Sequence, residues 1–181
     1  EYLDGQLTQS DYLRRYYTGI AALALIEHFE ATQNESSLQI ALGAVDWLER
    51  AYPAKDSKAF HPSPTPWLVE ALDELNRLRP QQKLQERIFD LADHFVALQD
   101  TDLFPGRFWL PKGPNFGPPN TVRDAQATRT LMTALELAVD LEETKRANRY
   151  RRALVLALEN LRAHQYDAGG VETFPNPAGA I

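Results

Sequence analysis

Six segments with helical spacing of apolar residues constrain the fold of this chain most strongly. Within each segment apolar side chains recur every three or four residues, a spacing that places them on one face of an α-helix. The predicted helices cover approximately residues 11–31, 35–51, 66–79, 81–99, 121–141 and 145–165. The sequence lacks the regular alternation of apolar and polar residues that is typical of β-strands. The only β-like segment is LFPGRFWL, and its Pro105 disfavours a strand. The sequence therefore predicts an all-α protein.

Local signals mark several helix ends. Thr65 is predicted to cap the N-terminus of the third helix, with Pro66 at the first helical position, where its missing N–H costs nothing. Pro80 follows the last residue of this helix. Gly169 and Gly170 end the helical pattern after the sixth.

The lengths of the connections predict three antiparallel helical hairpins. The odd-numbered helices begin near Asp11, Pro66 and Thr121, which stand 55 residues apart, twice. Connections within pairs are short and connections between pairs are long, the long ones being residues 52–64, 99–120 and the 165–181 tail. In an up-and-down array all long connections lie at one end of the helices. We therefore expect a single domain over residues 1–181, with a cleft or binding face formed by its long loops and with the odd helices inside.

The connection between the fourth and fifth helices is unusually long. From Asp100 to Asn120 it holds five prolines, three glycines and four aromatic residues. Connections of this length in compact domains are mostly functional or disordered. The aromatic residues favour a packed loop over a disordered one. We predict that this loop forms one wall of the binding face, the alternative being an irregular surface connection without a binding role.

Charge and composition bear on the class of partner. The net charge is −6 and the isoelectric point is about 5.2, which disfavours nucleic acid and anionic membranes as partners. The chain has no cysteine, which excludes disulfides, zinc–thiolate sites and cysteine nucleophiles. We expect no membrane-spanning segment, because no run of 18 apolar residues is present, and no signal peptide, because no basic region is followed by an apolar segment. These features leave the compartment open.

Two stretches resemble a known class of helical proteins. The first stretch resembles the sequences of helix pairs in six-hairpin glycosidases, polysaccharide lyases and N-acylglucosamine 2-epimerase-like proteins. It reads YLRRYYTGIAALALIEHFEATQNESSLQIALGAVDWLERAYP. QYDAGGVETFPNP resembles the Gly-Gly loops that precede inner helices in such α/α-toroids, including the terpenoid-cyclase type. The resemblance implies an α/α-toroid-like arrangement. Because three hairpins are present where a full barrel has six, we expect either part of a larger barrel or a smaller bundle.

The resemblance implies a carbohydrate-active domain that acts on or binds a poly- or oligosaccharide at the long-loop face. An enzyme of this kind would be a glycoside hydrolase, a polysaccharide lyase or a sugar epimerase. The alternative is a non-catalytic helical scaffold that binds a protein partner, or a second copy, through an exposed inner face. A terpenoid-cyclase-like toroid is a third interpretation, disfavoured because the sequence has no Asp-rich motif.

Four residues are candidates for acid–base catalysis. His61 has a side chain whose ordinary pKa suits proton transfer near neutral pH, and it lies in a long loop just before an inner helix. Asp4, Asp124 and Glu172 are the candidate carboxylates, and a glycosidase needs two of them roughly 5–10 Å apart. Alternatively, His61 bonds to backbone, and Asp124 caps its own helix in the Thr121-x-x-Asp124 spacing.

Five residues are candidates for substrate binding. Trp109 and Trp67 flank the predicted cleft and offer faces on which sugar rings stack, although aromatic residues near helix starts also belong to cores. Arg123 begins the fifth helix, while Arg129 is expected either to be buried with a carboxylate or to bind an anionic group in a cleft. Tyr16 fits the core stripe of the first helix.

The arginines beside Tyr16 extend the carbohydrate interpretation. Arg14 and Arg15 lie in the first turns of the first helix, where one of them is expected to face solvent. Tyr and Arg side chains near a funnel suit recognition of a uronate.

Several kinds of cofactor site are excluded by their missing motifs. The sequence has no HExxH, no Gly-rich phosphate loop and no GxSxG elbow. His28 and His94 do not have the spacing of metal ligands. We therefore predict no metal and no cofactor.

Overall fold

The structure, a computed structural model, describes residues 2–3, 6–7, 11–109 and 120–164, with side chains from Leu13 onwards. These ranges hold six α-helices: α1 (Asp11–Thr32), α2 (Glu35–Ala51), α3 (Thr65–Leu78), α4 (Gln82–Leu98), α5 (Thr121–Asp140) and α6 (Thr144–Ala163). Two short strands, β1 (Tyr2–Leu3) and β2 (Gln6–Leu7), pair antiparallel with Tyr2 opposite Leu7. The predicted all-α class is confirmed. No helix within the described ranges has the length and apolar character needed to cross a membrane.

Local structure departs from the sequence prediction at the start of α3. Thr65 was predicted as the N-cap, and this is wrong because Thr65 is itself the first helical residue and the cap position is Pro64. The Thr65 hydroxyl donates to the His61 carbonyl at 2.7 Å. The side chain therefore ties the preceding loop to the helix start and leaves the first N–H groups of α3 without a side-chain cap.

The chain forms two compact units, Glu1–Leu91 and Ala92–Ile181, whose boundary falls within α4. Each unit contains one helical hairpin with a short connection, α1–α2 in the first and α5–α6 in the second. The predictions of a single domain and of a toroid arrangement concern the whole chain and stay predictions.

In the first unit α1 packs against both α2 and α3. Gly19 permits a close approach to α3, because a Cβ atom at this position would lie 3.0 Å from the Leu68 amide nitrogen. The core comprises fully buried aliphatic side chains, among them Ala22, Ile26, Leu38, Ala41, Val69 and Leu72. Helical spacing of these residues on each element explains why the six-segment pattern predicts this packing.

A buried ion pair joins α2 to the start of α4. Arg87 is only 4% exposed, and its Nε lies 2.9 Å from a carboxylate oxygen of Glu49. The same guanidinium donates to the Val45 carbonyl at 2.9 Å. Burial lowers the pKa of Arg87, and the nearby carboxylates of Glu49 and Asp46 oppose that shift. The positive charge of Arg87 is therefore compensated within the unit.

In the second unit α5 and α6 pack as an antiparallel hairpin with many small residues between them. The buried positions include Ala127, Ala134 and Ala138 on α5 and Ala147, Ala153 and Ala157 on α6. Small side chains let two helices approach closely. Tyr150 is fully buried beside them, and its hydroxyl donates to Asp93 at 2.9 Å. Burial raises the pKa of Tyr150, and the Asp93 charge raises it further, so the hydroxyl keeps its proton.

The turn of each hairpin contains one residue in the left-handed region. Gln33 after α1 and Glu142 after α5 each adopt a φ of 57°, in the left-handed region that favours glycine. The sequence signals the short connections but not this conformation, because neither position is a glycine or an asparagine.

Candidate functional site

The loop that follows α4 is organised around the carboxylate of Asp100. This side chain is 4% exposed and accepts hydrogen bonds from the backbone N–H groups of Asp102 at 2.8 Å, Leu103 at 3.2 Å and Phe104 at 2.9 Å. Burial alone would raise the pKa of Asp100, but the three N–H donors outweigh it and hold the pKa below the ordinary value. The charged form of Asp100 therefore stabilises the turn.

Backbone contacts close the same loop. The Asp100 N–H donates to the Arg107 carbonyl at 2.7 Å, and the Gly106 N–H donates to the Asp100 carbonyl at 2.9 Å. Gly106 has a φ of +92°, and a Cβ atom there would lie 2.0 Å from the Leu156 carbonyl oxygen on α6. Only glycine fits this position, so the loop is held directly against the α6 backbone.

Asp124 connects the loop to α5. Its side chain is 2% exposed and accepts a hydrogen bond from the Phe108 N–H at 3.0 Å. Arg107 Nε lies 3.5 Å from the other carboxylate oxygen, and the Asn160 amide donates to that oxygen at 3.5 Å. These contacts use three neighbours from the loop and from α6, so Asp124 positions the loop.

The capping box predicted for Thr121 and Asp124 is not formed, although Asp124 does lie in the first turn of α5. Asn120 caps α5 instead, because its side-chain oxygen accepts from the Arg123 N–H at 2.8 Å. Burial raises the pKa of Asp124, and the Phe108 N–H and the Arg107 charge oppose the shift without cancelling it.

The fixed loop presents two aromatic rings. Phe104 is 49% exposed, and its ring lies 6.4 Å from the half-buried ring of Trp109 with an interplanar angle of 54°. Phe108, between them in sequence, is buried and packs edge-on against Phe95 at 5.9 Å. Leu103, at 66% exposure, extends the apolar surface beside Phe104. The ring of Phe108 therefore anchors the loop, and the rings of Phe104 and Trp109 remain accessible.

His61 lies in the first unit, in the loop between α2 and α3. Its Nδ1 accepts a hydrogen bond from the Ser63 N–H at 3.2 Å, so this nitrogen carries no proton in the contact. The side chain is half-buried. The expectation that His61 bonds to backbone is confirmed, and its role as an acid–base group stays a prediction.

Tyr16 and Trp67 also belong to the first unit. Tyr16 is half-buried on α1 and packs edge-on against the exposed Tyr17, with ring centroids 5.4 Å apart. Trp67 is half-buried in the first turn of α3, where its Nε1 is buried and has no hydrogen-bond acceptor among the described residues. Their roles in substrate binding stay predictions.

The predicted arginines of α5 differ in exposure. Arg123 is half-buried in the first turn, whereas Arg129 is exposed. The exposure of Arg129 excludes the alternative in which it is buried with a carboxylate partner. Asp4 and Glu172 lie outside the residues whose side chains the structure describes.

Sequence reasoning missed Asp100, Arg107 and Asn160. An Asp at the start of a turn is a typical Asx-turn residue, so Asp100 carried a local signal. Arg107 and Asn160 carried none, because their contacts with Asp124 join positions distant in sequence. Within the described ranges, no three His, Asp or Glu side chains are grouped in a way that suits a metal ion.

Comparisons with known proteins find no family model that matches the sequence, and no match among curated proteins or solved structures. The resemblance to α/α-toroids therefore stays a prediction, and the geometry of the two units carries the functional argument.

Proposed function

We propose that this protein is a carbohydrate-active helical domain that binds an oligosaccharide at residues 99–109. Phe104 and Trp109 form the stacking surface. The observation that carries the proposal is the tilted pair of accessible rings, 6.4 Å apart, on a loop of fixed conformation. Flat aromatic faces pack well against the apolar faces of sugar rings, and a tilted pair fits two successive faces of a bent chain.

The rigidity of the loop supports this proposal. Asp100 satisfies three backbone N–H groups, and Gly106 seats the loop on α6. Because the rings are already positioned, a ligand does not have to order the loop when it binds. Loops that present side chains from a rigid scaffold are common binding surfaces.

In the catalytic form of the proposal the protein is a glycoside hydrolase, polysaccharide lyase or sugar epimerase. Asp124 then acts as a positioning residue, since its carboxylate is enclosed by Phe108, Arg107 and Asn160. Proton transfer would fall to His61, Asp4 and Glu172, which were proposed from the sequence.

The test is calorimetric titration of the protein with a panel of neutral and acidic oligosaccharides. We expect one class of oligosaccharide to bind, and Phe104→Ala or Trp109→Ala to weaken it by roughly tenfold, corresponding to about 1.4 kcal/mol. Leu103→Ala is the matched control, because Leu103 is exposed beside Phe104 but has no ring. Equal losses in all three variants, or no binding across the panel, would contradict the proposal.

A second candidate function is a scaffold that associates with another copy of itself. The observation in its favour is a set of exposed apolar side chains on the second hairpin: Val122, Met132, Val139, Val155 and Leu158. Met132 and Val139 lie seven residues apart and therefore share one face of α5. Sedimentation velocity over a range of concentrations tests this function. A dimer that Val139→Glu abolishes would support it, and a monomer at all concentrations would exclude it.

A further inference from the structure

The first unit contains a narrow cleft beside the N-terminal turns of α1. Its lining residues include Arg15, Tyr52, Ala59, Phe60, Leu68 and Leu91. The space inside the cleft amounts to about 20 Å³, which is room for one or two water-sized groups. Such a volume admits the oxygens of a carboxylate, whereas the rest of a ligand would lie outside the cleft.

Arg15 is the only charged residue among the described residues that line this cleft. Its guanidinium lies over the ring of Tyr52, 4.3 Å from the centroid, and one of its Nη2 N–H groups donates to the Ala59 carbonyl. These contacts hold the planar group in place from one face and one edge. A guanidinium has five N–H donors, so most of them remain for another acceptor.

The positive charge of Arg15 lacks the compensation that other buried arginines have. Arg87 lies 2.9 Å from Glu49, and Arg107 lies 3.5 Å from Asp124. No carboxylate of the described residues lies within ion-pair distance of Arg15, although its side chain is half-buried. Burial lowers the pKa of Arg15, which reflects the cost of keeping this charge away from water.

The neighbouring arginine adds to the local charge. Arg14 is exposed, and its guanidinium lies 5.8 Å from the centre of the Trp47 ring, without a carboxylate partner among the described residues. Trp47 in turn packs edge-on against Tyr52 at 6.1 Å. Two cations are thus held on the faces of two rings that contact each other, Arg14 on Trp47 and Arg15 on Tyr52.

We propose that this cleft binds the carboxylate group of a small ligand whose body stays outside the cleft. The fork of Arg15 matches the two oxygens of a carboxylate. The other lining side chains include the apolar Phe60, Leu68 and Leu91, so Arg15 is the group that recognises the carboxylate. The cleft and the aromatic loop at residues 99–109 are formed by different residues, so the inference does not depend on the oligosaccharide proposal.

A uronic acid and an aromatic acid share this chemistry. Two matched pairs of ligands distinguish them: galacturonate with galactose, and benzoate with benzamide. Within each pair the ring is retained and only the carboxylate is replaced by a neutral group. The probe is the Nε–Hε resonance of Arg15 in NMR spectra of the unmodified protein, which reports on the guanidinium directly.

We expect at least one carboxylate to shift the Arg15 resonance saturably, and its neutral partner to bind at least about tenfold more weakly. Saturation by galacturonate alone would identify a sugar acid, and saturation by benzoate alone would identify an aromatic acid. If neither acid shifts the resonance, or if the neutral partner binds equally well, the proposal is overturned.

Substitutions give a second, independent readout of the same site. Arg15→Gln keeps a donor for the Ala59 carbonyl but removes the charge, and we expect it to weaken carboxylate binding by about tenfold or more. Arg14→Gln is the matched control and is expected to change the affinity by less than about threefold. An Arg15→Gln protein that folds and binds the carboxylate as tightly as the original would overturn the proposal. Should Arg15→Gln not fold, the resonance titration of the unmodified protein decides the matter.

Discussion

The loop at residues 99–109 and the cleft at Arg15 differ in how their buried charges are compensated. In the second unit, Asp100 accepts three backbone N–H bonds, and Asp124 is surrounded by Phe108, Arg107 and Asn160. In the first unit, the half-buried Arg15 has one backbone carbonyl and the face of Tyr52. A charge that has several N–H donors or a counter-charge holds structure together, whereas a partly desolvated charge without a counter-charge favours a ligand that supplies one.

This contrast separates two kinds of functional surface. The loop at residues 99–109 is already complete, and its function depends on what it presents, namely the rings of Phe104 and Trp109. The cleft at Arg15 is electrostatically incomplete, and its function depends on what enters it. Stability measurements distinguish these two situations because they respond to compensated charges and not to missing ligands.

The largest expected effect is on the loop. Gly106→Ala places a Cβ atom 2.0 Å from the Leu156 carbonyl at a φ of +92°, so we expect a loss of about 3 kcal/mol in the free energy of unfolding, measured by urea denaturation. Gly43→Ala is the control, because a Cβ there meets nothing within 4 Å and alanine favours the α2 helix. A loss below about 1 kcal/mol for Gly106→Ala would show that the loop is not held as described.

The next prediction compares the charges directly. Asp124→Ala leaves the Arg107 charge and the Phe108 N–H without their acceptor, so we expect about 3 kcal/mol of destabilisation in urea. Arg15→Met removes a charge that has no counter-charge, and we expect a change within about 1 kcal/mol in the absence of ligand. Equal destabilisation by the two substitutions would remove the distinction between the loop and the cleft.

The smallest effect is a difference in pH dependence. The pKa of Asp100 is lowered in the folded state, so its contribution to stability is present above its ordinary value of 3.8 and is lost as the pH falls through the folded pKa. The pKa of Asp124 is raised, so its contribution is fully present below 3.8 and is lost as the pH rises through the folded pKa.

Unfolding measurements on Asp100→Asn and Asp124→Asn across the acidic range test these signs. On acidification, the stability of the wild type relative to Asp100→Asn is expected to fall. The stability of the wild type relative to Asp124→Asn is expected to rise. Two differences that move in the same direction would show that burial does not dominate at Asp124.

Helical periodicity predicted all six helices, with ends displaced by only one or two residues. The reason is that each helix buries a continuous stripe of apolar residues that the local sequence displays, as Leu38, Ala41, Val45 and Leu48 do on α2. The Pro-rich loop was predicted to be packed; in its described part Gly106 and Phe108 are buried, whereas residues 101–105 are exposed.

The candidate site was less accessible to sequence reasoning, because its geometry depends on distant pairs. Thr121-x-x-Asp124 has the spacing of a capping box, yet Asp124 accepts from Phe108, sixteen positions earlier. Arg14 and Arg15 are adjacent in sequence, and one was expected to face solvent. The structure shows that Arg14 is exposed and that Arg15 enters the cleft by stacking on Tyr52.

The three tryptophans offer the most direct test of the proposed division between the two surfaces. Trp109 lies on the aromatic loop, Trp47 contacts Tyr52 at the Arg15 cleft, and Trp67 lies on α3. Fluorine NMR of protein labelled with 5-fluorotryptophan, with each resonance assigned by a Trp→Phe variant, follows all three positions in one titration. A neutral oligosaccharide is predicted to shift Trp109 alone, and a small carboxylate is predicted to shift Trp47 but not Trp109. A neutral oligosaccharide that leaves Trp109 unchanged while shifting another tryptophan, or that shifts none, would contradict the assignment of the loop as the sugar-binding surface.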